Sequence, residues 1–162
     1  MRLLPIETAR LRLRHLEPKD AAPLRDITDD PAITSVIQFL KSPFTLSDAL
    51  ELIKNRASGV DCFLGVWIRE SDRLAGVVGA GFTDGGELEI GYWIGTAFQR
   101  AGYAQEVGRA LLERLARQFP DRSIIAVCKR DNHASWHILE KLGFKATGEP
   151  GHRPGRERFV LL

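Results

Sequence analysis

From Glu87 to Ile94 the chain alternates, with Leu88, Ile90, Tyr92 and Ile94 on one side and Glu87, Glu89 and Trp93 on the other. A period of two predicts a strand. A few residues later Ala104, Val107, Leu111 and Leu115 recur at helical spacing, with Glu106, Arg109, Glu113 and Arg117 turned elsewhere. That change of period predicts a helix ending near Phe119-Pro120. Between the two lies Gln99-Arg100-Ala101-Gly102-Tyr103-Ala104, a turn marked by one glycine. A helix N-terminus presents backbone N–H groups that have no intrahelical partner, and the helix dipole adds partial positive charge. The combination suits a phosphate. Gly102 has no Cβ, and Ala101 and Ala104 are nearly as small, so an anionic ligand can approach the backbone closely. The same glycine also reads as a plain turn residue.

The remaining pattern is taken in chain order. Arg10-Leu11-Arg12-Leu13-Arg14 alternates and predicts a strand with Leu11 and Leu13 inward. Asp20 is the expected N-cap of a helix carrying Ala21, Leu24 and Ile27, which Asp29-Asp30-Pro31 ends. Ala32 to Pro43 reads as a short turn of helix and a loop. Thr45-Leu46-Ser47-Asp48 offers caps for a second helix bearing Ala49, Leu50, Leu52 and Ile53, closed by Ser58-Gly59. Asp61 to Arg69 is apolar on both faces, as a strand covered on both sides would be. Leu74 to Phe82 predicts another strand, where Gly76, Gly79 and Gly81 suggest a bulge or close packing. Asp84-Gly85-Gly86 is a hairpin signal leading into Glu87. Ser123 to Cys128 predicts a buried strand. Asp131-Asn132 then caps a short helix with Ala134, Ile138 and Leu142 on one face and Gly143 as its C-cap. Phe144–Thr147 and Arg158–Leu162 read as a terminal hairpin across the Gly- and Pro-rich Gly148–Gly155 loop. Helices and strands mixed on one sheet make the fold class α/β or α+β.

Gln99-x-x-Gly102-x-Ala104 resembles the Q/R-x-x-G-x-G/A acyl-coenzyme A motif of the GNAT acetyltransferases. The resemblance continues through Glu89-Ile90-Gly91-Tyr92-Trp93, through Asn132-His133-Ala134-Ser135 and through Leu139-Glu140-Lys141-Leu142-Gly143-Phe144. It covers nearly the whole chain from Thr8-Ala9-Arg10-Leu11-Arg12-Leu13-Arg14 onward and is most similar to the RimJ/RimL-like, ribosomal-protein N-acetyltransferase branch. The resemblance implies one GNAT domain over residues 1–162. It also implies a mixed sheet of about six to seven strands flanked by about four helices, with two splayed parallel strands. Acetyl-CoA is the implied cosubstrate, and the acceptor is a primary amine on a protein N-terminus or a small molecule. A coenzyme A-binding sensor or scaffold of the same fold is the alternative.

Composition narrows the picture only a little. The chain has 162 residues, most simply one domain, and can bury roughly 70% of its unfolded surface without disulfides or a structural metal. Lys+Arg 23 against Asp+Glu 21 leaves +2, too balanced to suggest nucleic acid as a partner. Cys62 and Cys128 lie in apolar runs with no metal-like spacing and read as free buried thiols of a reducing cytoplasm. No apolar run approaches the ~18 residues of a membrane span and no signal peptide heads the chain, so the expectation is a cytoplasmic protein, monomer or homodimer.

Acetyl transfer from a thioester to an amine needs a held donor, a neutral amine, a stabilised oxyanion and a proton for the leaving thiolate. No Ser-His-Asp or Cys-His constellation is evident, and none is needed, because the amine is itself the nucleophile. The resemblance assigns the donor to the backbone of Gln99 to Ala104, with Arg100 a candidate phosphate partner and Trp93 and Ile94 on the strand alongside. Tyr103 is either packing or a contact on the adenine side. Glu89 is the candidate base: it shares a strand face with Trp93, and an indole beside a carboxylate in a cleft raises its pKa. The simpler reading is a surface glutamate. Many members carry a tyrosine where this chain has Leu139, so the acid falls to Ser135, which otherwise is a secondary capping group. Asn132 caps its helix, hydrogen-bonds the pantetheine, or does both. No metal is expected.

Overall fold

The alternating Leu88–Ile94 stretch is strand β5, and the rest of the molecule is built on either side of it. The computed structural model describes residues 1–56 and 61–162, so the expected helix stop at Ser58-Gly59 lies outside the described residues. The preceding strands are β1 (Ile6–Glu7), β2 (Leu11–His15), β3 (Cys62–Ile68) and β4 (Arg73–Phe82). Those that follow are β6 (Ile124–Lys129), β7 (Phe144–Pro150) and β8 (Arg156–Leu161). The helices are α1 (Ala21–Thr28), α2 (Pro31–Thr34), α3 (Leu46–Arg56), α4 (Tyr103–Gln118) and α5 (His133–Lys141). All eight strands form one sheet in the order β1-β2-β3-β4-β5-β6-β8-β7. Every pairing is antiparallel except β5 with β6.

This is the expected mixed fold, with corrections in its counts. The described residues contain eight strands rather than six to seven, and five α-helices rather than about four. The additions are short: β1 pairs with β2 through only Ile6↔Leu13 and Glu7↔Arg12, and α2 is a single turn capped by Asp30, whose Oδ1 accepts the Ala32 N–H at 2.9 Å. Neither is long enough to show a period. The hairpin loop is also tighter than Gly148–Gly155, because β7 continues to Pro150.

Two cores hold the layers. Leu88, Ile90, Val107, Leu111, Leu115, Ala126, Leu139 and Phe159 join β5, β6 and β8 to α4 and α5. On the opposite face Ala21, Leu24, Ala49, Ile53, Val77 and Trp93 join the sheet to α1 and α3. The second core corrects the expectation for Trp93. The side of β5 bearing Glu87, Glu89 and Trp93 is roofed by N-terminal helices, and Trp93 is only 4% exposed. Both expectations for the β4 glycines are met: the β3–β4 register shifts between Val66 and Trp67, beside Gly76, and a Cβ on Gly79 would lie 2.5 Å from the Phe63 ring.

Asp20 stands at the N-cap position of α1 as expected, but its side chain makes no capping hydrogen bond there. It ends a 3-10 turn, Pro18–Asp20, and its carboxylate accepts Arg14 at 2.9 and 3.2 Å and the Glu17 N–H at 2.8 Å. Burial acts to raise its pKa, but the Arg14 hydrogen bond, the Glu17 amide and the charges of Arg14 and Lys19 outweigh it and hold the carboxyl below its ordinary 3.8. The stabilisation is therefore complete above that ordinary value and is lost as the pH falls through the lower folded value. Asp20→Asn is expected to cost about 1.5–3 kcal/mol at neutral pH. In urea titrations the cost shrinks below pH 4; a cost that persists unchanged at pH 2.5 contradicts this assignment.

Candidate active site

The sheet opens at its one parallel joint. β5 and β6 pair only through Leu88↔Ile124 and Glu89↔Ile125, with the Leu88 N–H donating to Ser123 O at 2.9 Å. Beyond that point β5 pairs only with β4, and β6 only with β8. The two strands diverge around a cleft of about 1270 Å³. Backbone groups alternate sides along a strand. Because Leu88 faces β6, the backbones of Ile90, Tyr92 and Ile94 face the gap, while those of Glu89, Gly91 and Trp93 face β4. Trp93 and Ile94 therefore differ: Ile94 offers its backbone N–H to the gap, whereas Trp93 contributes a buried side chain to the cleft wall. That indole donates to Thr28 Oγ1 at 3.1 Å and stands 6.0 Å from both the Phe39 and Phe63 rings. A Cβ on Gly91 would meet nothing within 4 Å, so the space between Glu89 and Trp93 is open.

The turn between β5 and α4 lies along this cleft. Gln99, Arg100, Gly102, Tyr103 and Ala104 line it, whereas Ala101 is exposed and does not. Gly102 is the N-cap of α4 in the left-handed conformation, φ +83, and Arg100 also has positive φ, +63. Arg10 braces the turn: its Nη1 donates to Ala101 O at 2.8 Å, its Nε to Glu106 Oε2 at 2.7 Å, and its guanidinium lies 4.6 Å over the Tyr103 ring. Glu106 also accepts Thr8 Oγ1 at 2.7 Å and the Arg10 N–H at 3.0 Å. Burial acts to raise the Glu106 pKa, yet these bonds and the Arg10 charge together hold it below its ordinary value. Gln99 is turned inward, donating from Nε2 to Ile94 O at 2.9 Å. The cradle is thus clamped from strand β2's approach, a connection invisible in the turn's own residues.

Glu89 stands on the face roofed by α1 and α2, with its side chain 15% exposed. Its neighbours correct the sequence-based electrostatics: the carboxylate meets Arg153 Nη1 at 3.1 Å and His152 Nε2 at 3.3 Å, not the Trp93 indole. Both come from the β7–β8 loop. Glu87 likewise meets Arg158 at 2.5 Å. Arg156 shares this face, 8% exposed, with Nη2 donating to Val36 O after α2. Burial pushes the Arg156 guanidinium below its ordinary value and Arg153 adds to that, while Cys128 and Glu89 act in the opposite sense.

On the other face Asn132 Oδ1 accepts the Ser135 N–H at 3.2 Å, which makes Asn132 the cap of α5. The Ser135 hydroxyl meets Tyr92 OH at 3.1 Å. Burial pushes the Tyr92 phenol up to about 12, helped by Cys128 and opposed by the Ser135 hydrogen bond, so it remains protonated at neutral pH. Tyr92 lies on the strand face that the alternation predicts, and its hydroxyl meets a residue 43 positions away. Cys62 and Cys128 are free and buried, and burial pushes both thiols up. Among the described residues no three His, Cys, Asp or Glu side chains gather to hold a metal, and no helix is long and apolar enough to cross a membrane.

A parallel strand pair that splays beside a helix N-terminal turn is the architecture of an acyl-coenzyme A-dependent transferase. Residues 10–145 match the acetyltransferase (GNAT) domain model, and the chain belongs to that family. It is 30% identical over 145 residues to the uncharacterized N-acetyltransferase YnaD of Bacillus subtilis (strain 168), covering 88% of this chain and 84% of that one. A GNAT-family acetyltransferase from Bacillus anthracis has the same fold, with a TM-score of 0.86, 22% identity and 98% of each chain covered. So does RimL, the ribosomal L7/L12 alpha-N-protein acetyltransferase, solved in complex with coenzyme A: TM-score 0.82, 17% identity, 97% of this chain and 96% of that one. The RimL-like expectation thus agrees with solved structures at the level of the fold. The chain is a GNAT acetyltransferase.

Proposed function

We propose that the chain transfers the acetyl group of acetyl-CoA to a primary amine by direct attack within a ternary complex. One observation carries this reading: the gap between β5 and β6 runs along the Gly102 cradle and is flanked by Glu89 on one face and by the Tyr92–Ser135 pair on the other. The residues present fit the cosubstrate. The backbone around Gly102, with Arg100 beside it, holds the pyrophosphate at the α4 N-terminus. The gap-facing backbone of Ile90, Tyr92 and Ile94 lies where the pantetheine and the thioester oxygen need hydrogen-bond partners. RimL, a neighbour in fold, is solved in complex with coenzyme A, which supports the choice of cosubstrate. When bound, acetyl-CoA supplies an activated acetyl group and a thiolate leaving group.

Glu89 takes the proton of the incoming ammonium directly or through one water, so that the neutral amine attacks. Ser135, backed by the protonated Tyr92 phenol, donates to the departing thiolate. Asn132 orients Ser135 by capping α5. The non-catalytic reading draws on Leu139 standing where many relatives carry tyrosine, and the Tyr92 hydroxyl answers that objection. Acceptors to test first are protein N-terminal amines, as for RimL, and small-molecule amines.

Free-thiol release from acetyl-CoA, measured with an amine panel, separates the two readings. Amine-dependent thiol release is expected. Tight acetyl-CoA binding without release by any amine identifies a sensor instead. Ser135→Ala is expected to lower kcat only about 10-fold, because a thiolate is a tolerable leaving group and Tyr92 can still donate. The double variant with Tyr92→Phe falls further, with coenzyme affinity preserved. Wild-type turnover in the double variant across pH returns Ser135 to a capping role.

A further inference from the structure

The cleft face beneath α2 carries more cationic than anionic charge at one point. Arg158 meets Glu87 and Arg153 meets Glu89, but among the described residues no carboxylate lies within 4.0 Å of Arg156. Arg156 is nevertheless more than nine-tenths buried, and arginine is rarely that buried without an anion. Among the described residues its side chain makes one hydrogen bond, from Nη2 to Val36 O, so one of five N–H donors is used there. No buried side-chain nitrogen or oxygen among the described residues lacks a partner, so the unused nitrogens must reach the cleft that Arg156 lines.

We propose that Arg156 binds a carboxylate of the acceptor, so that the substrate is an amine that also carries an acidic group; this rests on the amine-acetyltransferase reading above. The planar fork of a guanidinium matches the two oxygens of a carboxylate. The position favours the acceptor over the coenzyme. Lys129, opposite Arg156 in the β6–β8 ladder, and Val36 both belong to the face roofed by α2, whereas the cradle is made by α4, which packs on the other face. Glu89, the proposed base, lies on the same face as Arg156, so a molecule anchored by its carboxylate on one presents its ammonium to the other. A role confined to tethering the Val36 loop is also met by Lys129, whose Nζ donates to Ser35 O at 2.8 Å.

The carboxylate has two sources, the α-carboxylate of a free amino acid or an acidic side chain near a protein N-terminus. The test measures calorimetric affinities of coenzyme A-saturated protein for matched acetylated pairs. One arm compares N-acetylserine and N-acetylphenylalanine with their carboxamides. The other compares N-acetylated Ser-Asp and Ser-Asn dipeptide amides. In one arm the carboxylate member is expected to bind about 10- to 100-fold more tightly than its neutral twin. Arg156→Gln erases that difference without changing affinity for the neutral twin or for coenzyme A, and Arg156→Lys keeps part of it. Lys129→Met, which loosens the same loop, keeps it in full. Equal affinities within every pair, or a preference that survives Arg156→Gln, overturn the proposal. Turnover of the corresponding free amines tests the other reading separately: a carboxylate preference in binding with no amine acetylated sinks the transferase reading alone, and acetylation indifferent to the carboxylate sinks the Arg156 assignment alone.

Discussion

Replacing Glu89 by glutamine lowers kcat at neutral pH by roughly 10²–10⁴-fold and leaves coenzyme affinity nearly unchanged. An amine acceptor is mostly ammonium near pH 7, and only its neutral form attacks a thioester. Glutamine keeps the size of Glu89 but cannot take the proton. Raising the pH restores part of the rate, because solvent then supplies the neutral amine. The surroundings add a second signature. Arg153, which meets the Glu89 carboxylate at 3.1 Å, loses its counter-charge in the variant. An acidic acceptor then binds more tightly while turning over more slowly, so KM and kcat fall together. A variant with wild-type kcat at every pH moves the base elsewhere in the cleft.

The second large effect falls on the cradle. Gly102→Val is expected to raise the coenzyme Kd about 10- to 100-fold, since a branched side chain enters the space over the α4 N-terminus. The residue has φ +83, so any L side chain there also carries roughly 1–3 kcal/mol of backbone strain. Its Cβ would lie 3.3 Å from Arg10 Nη2, the group that braces the turn. Gly148→Val separates strain from contact. Gly148 has φ +77, and a Cβ there would meet nothing within 4 Å, so it suffers the strain and leaves the coenzyme alone. Both variants melt earlier than wild type, and only Gly102→Val loses affinity. Unchanged calorimetric affinity in folded Gly102→Val dismisses the cradle.

What was legible in the chain was local. The period of two over Leu88–Ile94 and of 3.6 over α4 predicted the central unit, and Asn132 capping α5 followed from residue type alone. Partnerships across the fold were not legible. Asp20 reads as a cap because capping is a local rule, yet Arg14 on the neighbouring strand claims its carboxylate. Trp93 reads only as sharing a strand face with Glu87 and Glu89, because a sequence does not say which strand faces are roofed. Glu89 meets Arg153 only because the β7–β8 hairpin folds back beside the gap, and Arg156 meets Val36 across 120 residues. The candidate site is made almost wholly of such distant pairs. The motif around Gly102 was the exception, since a helix N-terminus is assembled from consecutive residues.

The splay between β5 and β6 has a mechanical side. Strands β1–β5 and the β6-β8-β7 group are two halves of the sheet riveted at one end by the Leu88 and Glu89 registers. A rivet at one end leaves a hinge, and the gap-facing backbones of Ile90, Tyr92 and Ile94 are the jaws. A thin extended molecule lying in that gap completes the missing ladder and staples the jaws together. On the proposed placement, coenzyme is part of the protein's cohesion as well as its chemistry, adding RT ln(1 + [L]/Kd) to the unfolding free energy. On that placement the two halves are expected to be stiffest with coenzyme bound and to relax when product leaves.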